Sequence, residues 1–230
     1  MNTRPFDQVF FDCDSTLTRI EGIDELARRA NVADQLIPLT TAAMNGEMPL
    51  EEVYSRRLQI IQPTRQDLQW LAQRYQDEIV DDAVAVVSRL QQLGKKIHII
   101  SGGLRLPILE LGQFLGINQE NIHAVDINFD DTGHYQGFDC STPLACNGGK
   151  AKICAALEKA GDRNVLIGDG VTDLEAQDVG VVVIGFGGVA RRDEVIKRSA
   201  AYIEGPGLSG LLDIMLTVEE KSQTPGFLKV

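Results

Sequence analysis

Short apolar runs ending in polar or glycine-rich turns recur along the chain, at Gln8-Val-Phe-Phe-Asp12, Lys96-Ile-His-Ile-Ile-Ser101, Asn164-Val-Leu-Ile-Gly-Asp169 and Val181-Val-Val-Ile184. Runs of this length read as buried strands. Helical patterns lie between them at about 82–93, 107–115, 150–160 and 172–178. Strands alternating with helices predict an α/β fold with a doubly wound parallel sheet. Residues 17–82 break the rhythm, with helical patterns at 21–30, 50–61 and 64–79 and no strand signal. They read as a helical insertion after the first strand, leaving residues 1–16 and 83–230 as the core. Across residues 124–138, Val125, Ile127 and Phe129 alternate ahead of a polar Asp130-Asp-Thr-Gly133 turn, which predicts a β-hairpin. The segment after about Thr217 reads as loosely held.

The chain has 230 residues with 22 Lys+Arg against 33 Asp+Glu, a net charge of −11, so a phosphate backbone is repelled and nucleic acid is not an expected partner. No stretch has signal-peptide character, and none reaches the roughly 18 apolar residues of a membrane span. Cys13, Cys140, Cys146 and Cys154 lack Cys-x-x-Cys spacing and read as reduced thiols, so a cytoplasmic protein is expected. Its oligomeric state, monomer or homodimer, is left open. His98, His123 and His134 are scattered, which leaves a histidine zinc site or a Ser-His-Asp triad little to build on. His98, inside an apolar strand, reads as a satisfied core residue.

Ligands of open α/β sheets sit beyond the carboxyl ends of the strands, and here those ends carry Asp12-Cys-Asp14-Ser-Thr16, Ser101-Gly-Gly103 and Gly168-Asp-Gly-Val-Thr-Asp173. Each alone also reads as a cap or turn. Together they crowd carboxylates, which repel one another without a cation. Hard oxygen ligands point to magnesium, with Asp12 and Asp169 as ligands. Ser101 as a hydroxyl donor and Lys150 as a cation complete a site for a phosphoryl group. Asp12 can attack phosphorus to form an aspartyl-phosphate, and Asp14 can protonate the leaving alkoxide and then activate water. Cys13 is expected to point away from both.

Asp12-Cys-Asp14-Ser-Thr16, Ser101, Lys150 and Gly168-Asp-Gly-Val-Thr-Asp173 resemble, in order, the four motifs of the haloacid dehalogenase (HAD) superfamily. The fuller wording, including Glu21-Gly-Ile-Asp-Glu-Leu26, Arg57-Leu-Gln-Ile-Ile-Gln-Pro63, Gly148-Gly-Lys150 and Ile184-Gly-Phe-Gly-Gly188, resembles the phosphoserine phosphatases within it. The resemblance covers almost the whole chain. It implies a Rossmann-like core, nucleophile Asp12, acid/base Asp14 with its backbone carbonyl on magnesium, metal ligand Asp169 and supporting Asp173. Ser101, Gly102, Lys150 and Thr172 would contact phosphate or substrate, and the insertion would be a cap. The implied reaction releases serine from O-phosphoserine, the last step of serine biosynthesis.

In the 50–61 helix, Leu50, Val53, Tyr54, Leu58, Ile60 and Ile61 form an apolar arc with Arg57 near its middle, where a guanidinium needs an anion: a cap carboxylate or a ligand carboxylate. Arg56 lies at its edge, in solvent. Glu21 either favours a helix dipole or binds a ligand cation. By resemblance, Glu21 and Arg57 hold the two ends of a zwitterion. Leu50 and Leu104 stand where these enzymes often carry phenylalanine, which predicts a roomier pocket. Two alternatives remain: a HAD phosphatase or phosphotransferase acting on another small phosphomonoester, and a receiver-like signalling domain, which has no need of Asp14 or a lid.

Overall fold

A computed structural model describes residues 4–44, 48 and 50–223. The chain opens with β1 (Gln8–Phe11), buried throughout, with Phe11 in the apolar core on one sheet face and Phe10 in that on the other. Four helices follow before the core resumes: α1 (Gly22–Arg29), α2 (Ala33–Met44), α3 (Leu50–Ile61) and α4 (Arg65–Asp77). Next come α5 (Ala83–Gln92), β2 (Lys96–Leu104), α6 (Arg105–Phe114), β3 (Ile122–Val125), β4 (Ile127–Phe129) and β5 (Tyr135–Phe138). The remainder comprises α7 (Gly149–Leu157), β6 (Asn164–Gly168), α8 (Val171–Leu174), β7 (Val182–Phe186), α9 (Asp193–Arg198), β8 (Ala201–Ile203), α10 (Gly210–Met215) and α11 (Val218–Ser222).

The main sheet runs β3-β2-β1-β6-β7-β8 with every neighbouring pair parallel. The chain winds outward from β1 through β2 on one side and takes up β6 on the other, so a crevice opens where β1 and β6 end. Phe11 pairs with Ile167 in register, and Asp12 N–H donates to the Ile167 carbonyl at 2.9 Å. That join brings Asp12 and Asp169 to one place.

Helices α1 to α4 are pinched off at a two-stranded neck. Thr18 and Ile79 form an antiparallel bridge; Val80 N–H donates to Leu17 C=O at 3.0 Å and Arg19 N–H to Glu78 C=O at 2.8 Å. Helix α4 starts at a capping box, with Thr64 Oγ1 accepting from Asp67 N–H at 3.2 Å and Asp67 Oδ2 from Thr64 N–H at 2.9 Å. Its buried stripe, Leu68, Leu71, Ala72 and Tyr75, has helical spacing, and α4 packs along α6 and α1.

Several expectations need correction. Val125 belongs to β3 of the main sheet, so the separate hairpin begins at Ile127. Strands β3 and β8 lack a sequence signal: one contains His123, and the other is three residues long. The 172–178 pattern is a four-residue α8 followed by a 3₁₀ turn over 175–179, ended by Gly180 at φ 81°. The segment after Thr217 is held through residue 223: Thr217 and Glu220 form a capping box for α11, and Lys95 pairs with Glu220 in a largely buried contact. The remainder of that tail, 224–230, lies outside the described residues. His98 is only half satisfied. Its Nδ1 meets His123 Nε2 at 3.2 Å, but its buried Nε2 has no hydrogen-bond partner.

Candidate active site

The first carboxylate follows directly from β1. Asp12 Oδ1 accepts from Cys13 N–H at 2.7 Å, and Oδ2 lies 2.8 Å from Lys150 Nζ. Lys150 comes from the first turn of α7 and reaches across to Asp173 Oδ1 at 2.6 Å. It is 6% exposed. Burial opposes its charge, but Asp12 and Asp173 outweigh that and hold the ammonium above its ordinary range. Asp173 Oδ2 accepts from Gly170 N–H at 2.9 Å, and a Cβ on Gly168 would sit 2.1 Å from Asp173 Cγ, so the close approach needs a glycine.

Asp169 follows β6. Its Oδ2 receives Arg192 Nε at 3.2 Å, and Thr16 Oγ1 lies 3.4 Å from Oδ1. Burial, then the charge on Asp12, push Asp169 up to about 7 against the pull of Arg192. One oxygen each from Asp12, Asp169 and Asp173 lie within 4.8 Å of one another, all in buried residues. Three hard carboxylates this close, with no sulfur or imidazole among them, fit a divalent cation. Cys13 is fully buried in the apolar core and is not among the residues that line the site cavity.

Asp14 turns the other way. Its Oδ1 accepts from Gly22 N–H at 2.8 Å and Tyr75 O–H at 2.7 Å. Burial raises it to about 7, with the Tyr75 hydrogen bond opposing and Asp12 adding to the rise. Ser15 sits at φ 54°, a left-handed conformation uncommon outside glycine, and its Oγ donates to Glu21 Oε1 at 2.6 Å. Burial and the nearby Asp14 raise Glu21 to about 7 against that bond.

A cavity of about 240 Å³ gathers these groups. Asp12, Asp14, Glu21, Arg57, Ser101, Gly102, Lys150, Asp169 and Thr172 all line it, whereas Asp173 is buried behind Lys150. Ser101 is 1% exposed, with its Oγ accepting from Gly103 N–H at 3.0 Å. Arg57 reaches in from α3, half-buried among Asp24, Glu21 and Tyr54; burial lowers its pKa while those groups oppose the shift. Arg56 is exposed and pairs with Glu52. Leu104 forms part of the wall, and the Leu50 side chain lies outside the described residues.

Residues 6–176 match the family described as haloacid dehalogenase-like hydrolase. The chain belongs to the haloacid dehalogenase-like hydrolases. This HAD hydrolase is 37% identical over 199 residues to a Bos taurus phosphoserine phosphatase, covering 86% of this chain and 88% of that one. The same figures hold for the Homo sapiens phosphoserine phosphatase. Its fold resembles the crystal structure of a phosphoserine phosphohydrolase-like protein from Francisella tularensis, with a TM-score of 0.78 at 24% identity, over 91% of this chain and 100% of that one. The protein is a phosphatase of the HAD class, which selects the enzyme reading over a signalling domain.

Sequence reasoning missed two residues of this HAD site. Tyr75 reads as one more apolar position on an amphipathic helix, and Arg192 lies in a loop with no motif around it. Neither carries a local signal, because each meets its carboxylate through the fold.

Proposed function

We propose that the protein hydrolyses O-phosphoserine to serine and phosphate through phospho-Asp12. The observation that carries this reading is the cavity's layout. Glu21 and Arg57, of opposite charge, share one small chamber with the reacting carboxylates and Lys150. An ammonium, a carboxylate and a phosphate each find a complementary group there. The relatives named phosphoserine phosphatase support the same substrate.

Asp12 attacks phosphorus as the ester P–O bond breaks, and Asp14 gives its proton to the serine oxygen. Water then attacks phospho-Asp12; Asp14 takes its proton, the Asp12–phosphorus bond breaks, and phosphate leaves. Lys150, with Ser101, Gly102 and Thr172 beside the phosphoryl position, balances negative charge. Magnesium, held by Asp12, Asp169 and the Asp14 carbonyl with Asp173 in support, supplies neutralisation of the phosphoryl oxygens when bound. Residues 17–82 act as the cap that closes over the substrate and excludes water. Residues 1–16 and 83–230 are the catalytic core. The protein works in the cytoplasm on a small molecule, and among the described residues no helix is long and apolar enough to cross a membrane.

The test is phosphate release from O-phosphoserine, O-phosphothreonine and an aryl phosphate, with magnesium or EDTA, and Asp12→Asn as blank. Magnesium-dependent preference for phosphoserine, lost in Glu21→Gln and Arg57→Ala, is the expected result. Turnover of phosphoserine that survives both substitutions rejects the substrate assignment, and activity on the aryl phosphate alone leaves a phosphatase of another small monoester.

A further inference from the structure

Tyr75 belongs to the insertion, yet it touches the residue that handles protons. It is completely buried, lines the cavity, and donates its hydroxyl hydrogen to Asp14 Oδ1 at 2.7 Å. The Gly22 N–H donates to the same oxygen at 2.8 Å. Two donors on Oδ1 leave Oδ2 as the oxygen free to carry a proton. That second oxygen faces the strand end of β2: a Cβ on Gly103 would meet Asp14 Oδ2 at 2.9 Å and Ser101 Oγ at 3.2 Å. Oδ2 therefore lies beside Gly103, a residue of the cavity wall, while Oδ1 is tied to α1 and α4.

The path of the hydroxyl is itself shaped to fit. A Cβ on Gly22 would lie 2.1 Å from Tyr75 Oη and 3.0 Å from the ring carbon that bears it. A glycine at this position thus makes the slot through which the tyrosine reaches the carboxylate. Steric allowance and hydrogen bond are separate observations, and both aim Tyr75 at Asp14.

We propose that Tyr75 is a positioning residue that fixes the Asp14 carboxyl so that Oδ2 alone exchanges protons with the leaving group and with water. This rests on the aspartyl-phosphate reading above. When the ester P–O bond breaks, the proton on Oδ2 passes to the departing oxygen; when water attacks phosphorus and the Asp12–phosphorus bond breaks, Oδ2 takes the water proton back. Because Tyr75 rides on α4 and Asp14 follows β1, the carboxyl is set for this exchange when α4 is seated on the core.

The test is Tyr75→Phe, which deletes one oxygen, assayed with magnesium on O-phosphoserine and on an aryl phosphate whose leaving group departs without a proton. Loss of orientation at a general acid/base predicts a kcat on phosphoserine about 10- to 100-fold lower with KM changed less than about twofold. The first-turnover burst on the aryl phosphate stays at the wild-type rate while its steady-state turnover falls. In an Asp14→Asn background, Tyr75→Phe adds no further loss, because it acts through that carboxyl. Unchanged kcat in a folded Tyr75→Phe protein overturns the proposal, as does an equal loss in the burst and in KM. Should Tyr75→Phe fail to fold, Gly22→Ala, which pushes the hydroxyl aside, must give the same kinetic signature or the proposal fails. A wild-type enzyme inactive on phosphoserine but showing the Tyr75 effect on aryl phosphate turnover overturns the substrate reading alone.

Discussion

Lys150 holds two buried carboxylates apart by pairing with both, Asp12 at 2.8 Å and Asp173 at 2.6 Å. Removing it strands like charges on largely buried carboxylates. Lys150→Ala is therefore expected to destabilise the protein in EDTA by about 3–5 kcal/mol, measured by urea unfolding. Added magnesium should recover part of that loss, because a cation among Asp12, Asp169 and Asp173 neutralises the same carboxylates. A variant as stable as wild type in EDTA would reject the ion-pair account. At this scale the sequence was informative wherever a residue sits at a strand end. The positions of Asp12 and Asp169 follow from where an apolar run stops, since sheet hydrogen bonding then delivers them to one edge; Ser101 is three residues short of such an end, because β2 continues past the apolar run through Gly102 and Gly103 to Leu104. Tyr75 and Arg192 were not legible, because a tyrosine on a helix face and an arginine in a loop gain meaning only from partners far away in the chain.

Between elements, polar groups at helix ends tie distant parts of the chain together. Asp82, at the start of α5, accepts from Leu208 N–H and Ser209 N–H, both at 2.7 Å, and so binds α5 to the turn leading into α10. Asp82→Ala removes two charge-assisted bonds and is expected to cost about 2 kcal/mol, read as a lower urea midpoint with unchanged slope. No change in midpoint would mean that water replaces the carboxylate without penalty. The hairpin β4–β5 joins the insertion in a similar way. Arg65 N–H donates to Gly133 C=O at 2.9 Å, the Arg65 guanidinium stacks 4.8 Å above the Phe129 ring, and Tyr54 of α3 packs against Phe138 at 5.2 Å. The pattern of alternating residues revealed the hairpin but misplaced Val125, since a strand of the main sheet and a hairpin strand share the same period of two. Amphipathic spacing located α1, α3 and α4 to within about two residues, because their apolar stripes bury against one another.

The molecule as a whole carries an acid-sensitive point away from the site. Burial, followed by the charges of Lys96, His123 and Lys159, depresses His98 to about 3. Its surroundings also include Phe10, edge-on at 5.3 Å, and Arg105 beside His123. The unfolded chain binds a proton there from about pH 6.5 downward while the folded chain does not, so stability falls as pH drops from about 6.5 toward 3. The slope from this group is at most about 1.4 kcal/mol per pH unit. His98→Leu should flatten the fall between pH 7 and 5 in urea titrations, and parallel curves for both proteins would exclude the effect. The parallel sheet was legible as a class, but its order was not, because no local pattern tells residue 8 to pair with residue 164. That pairing also sets a timetable. During synthesis the β1 strand and Asp12 emerge early, yet one wall of the crevice is missing until β6 is made and docks in the register Gln8↔Asn164 through Phe11↔Ile167. Helices of the insertion can form long before this, and Trp70 on α4, the single tryptophan, reports their packing against Arg29. Recovered hydrolysis is then a late clock and Trp70 fluorescence an early one, and the interval between them times the closing of the sheet.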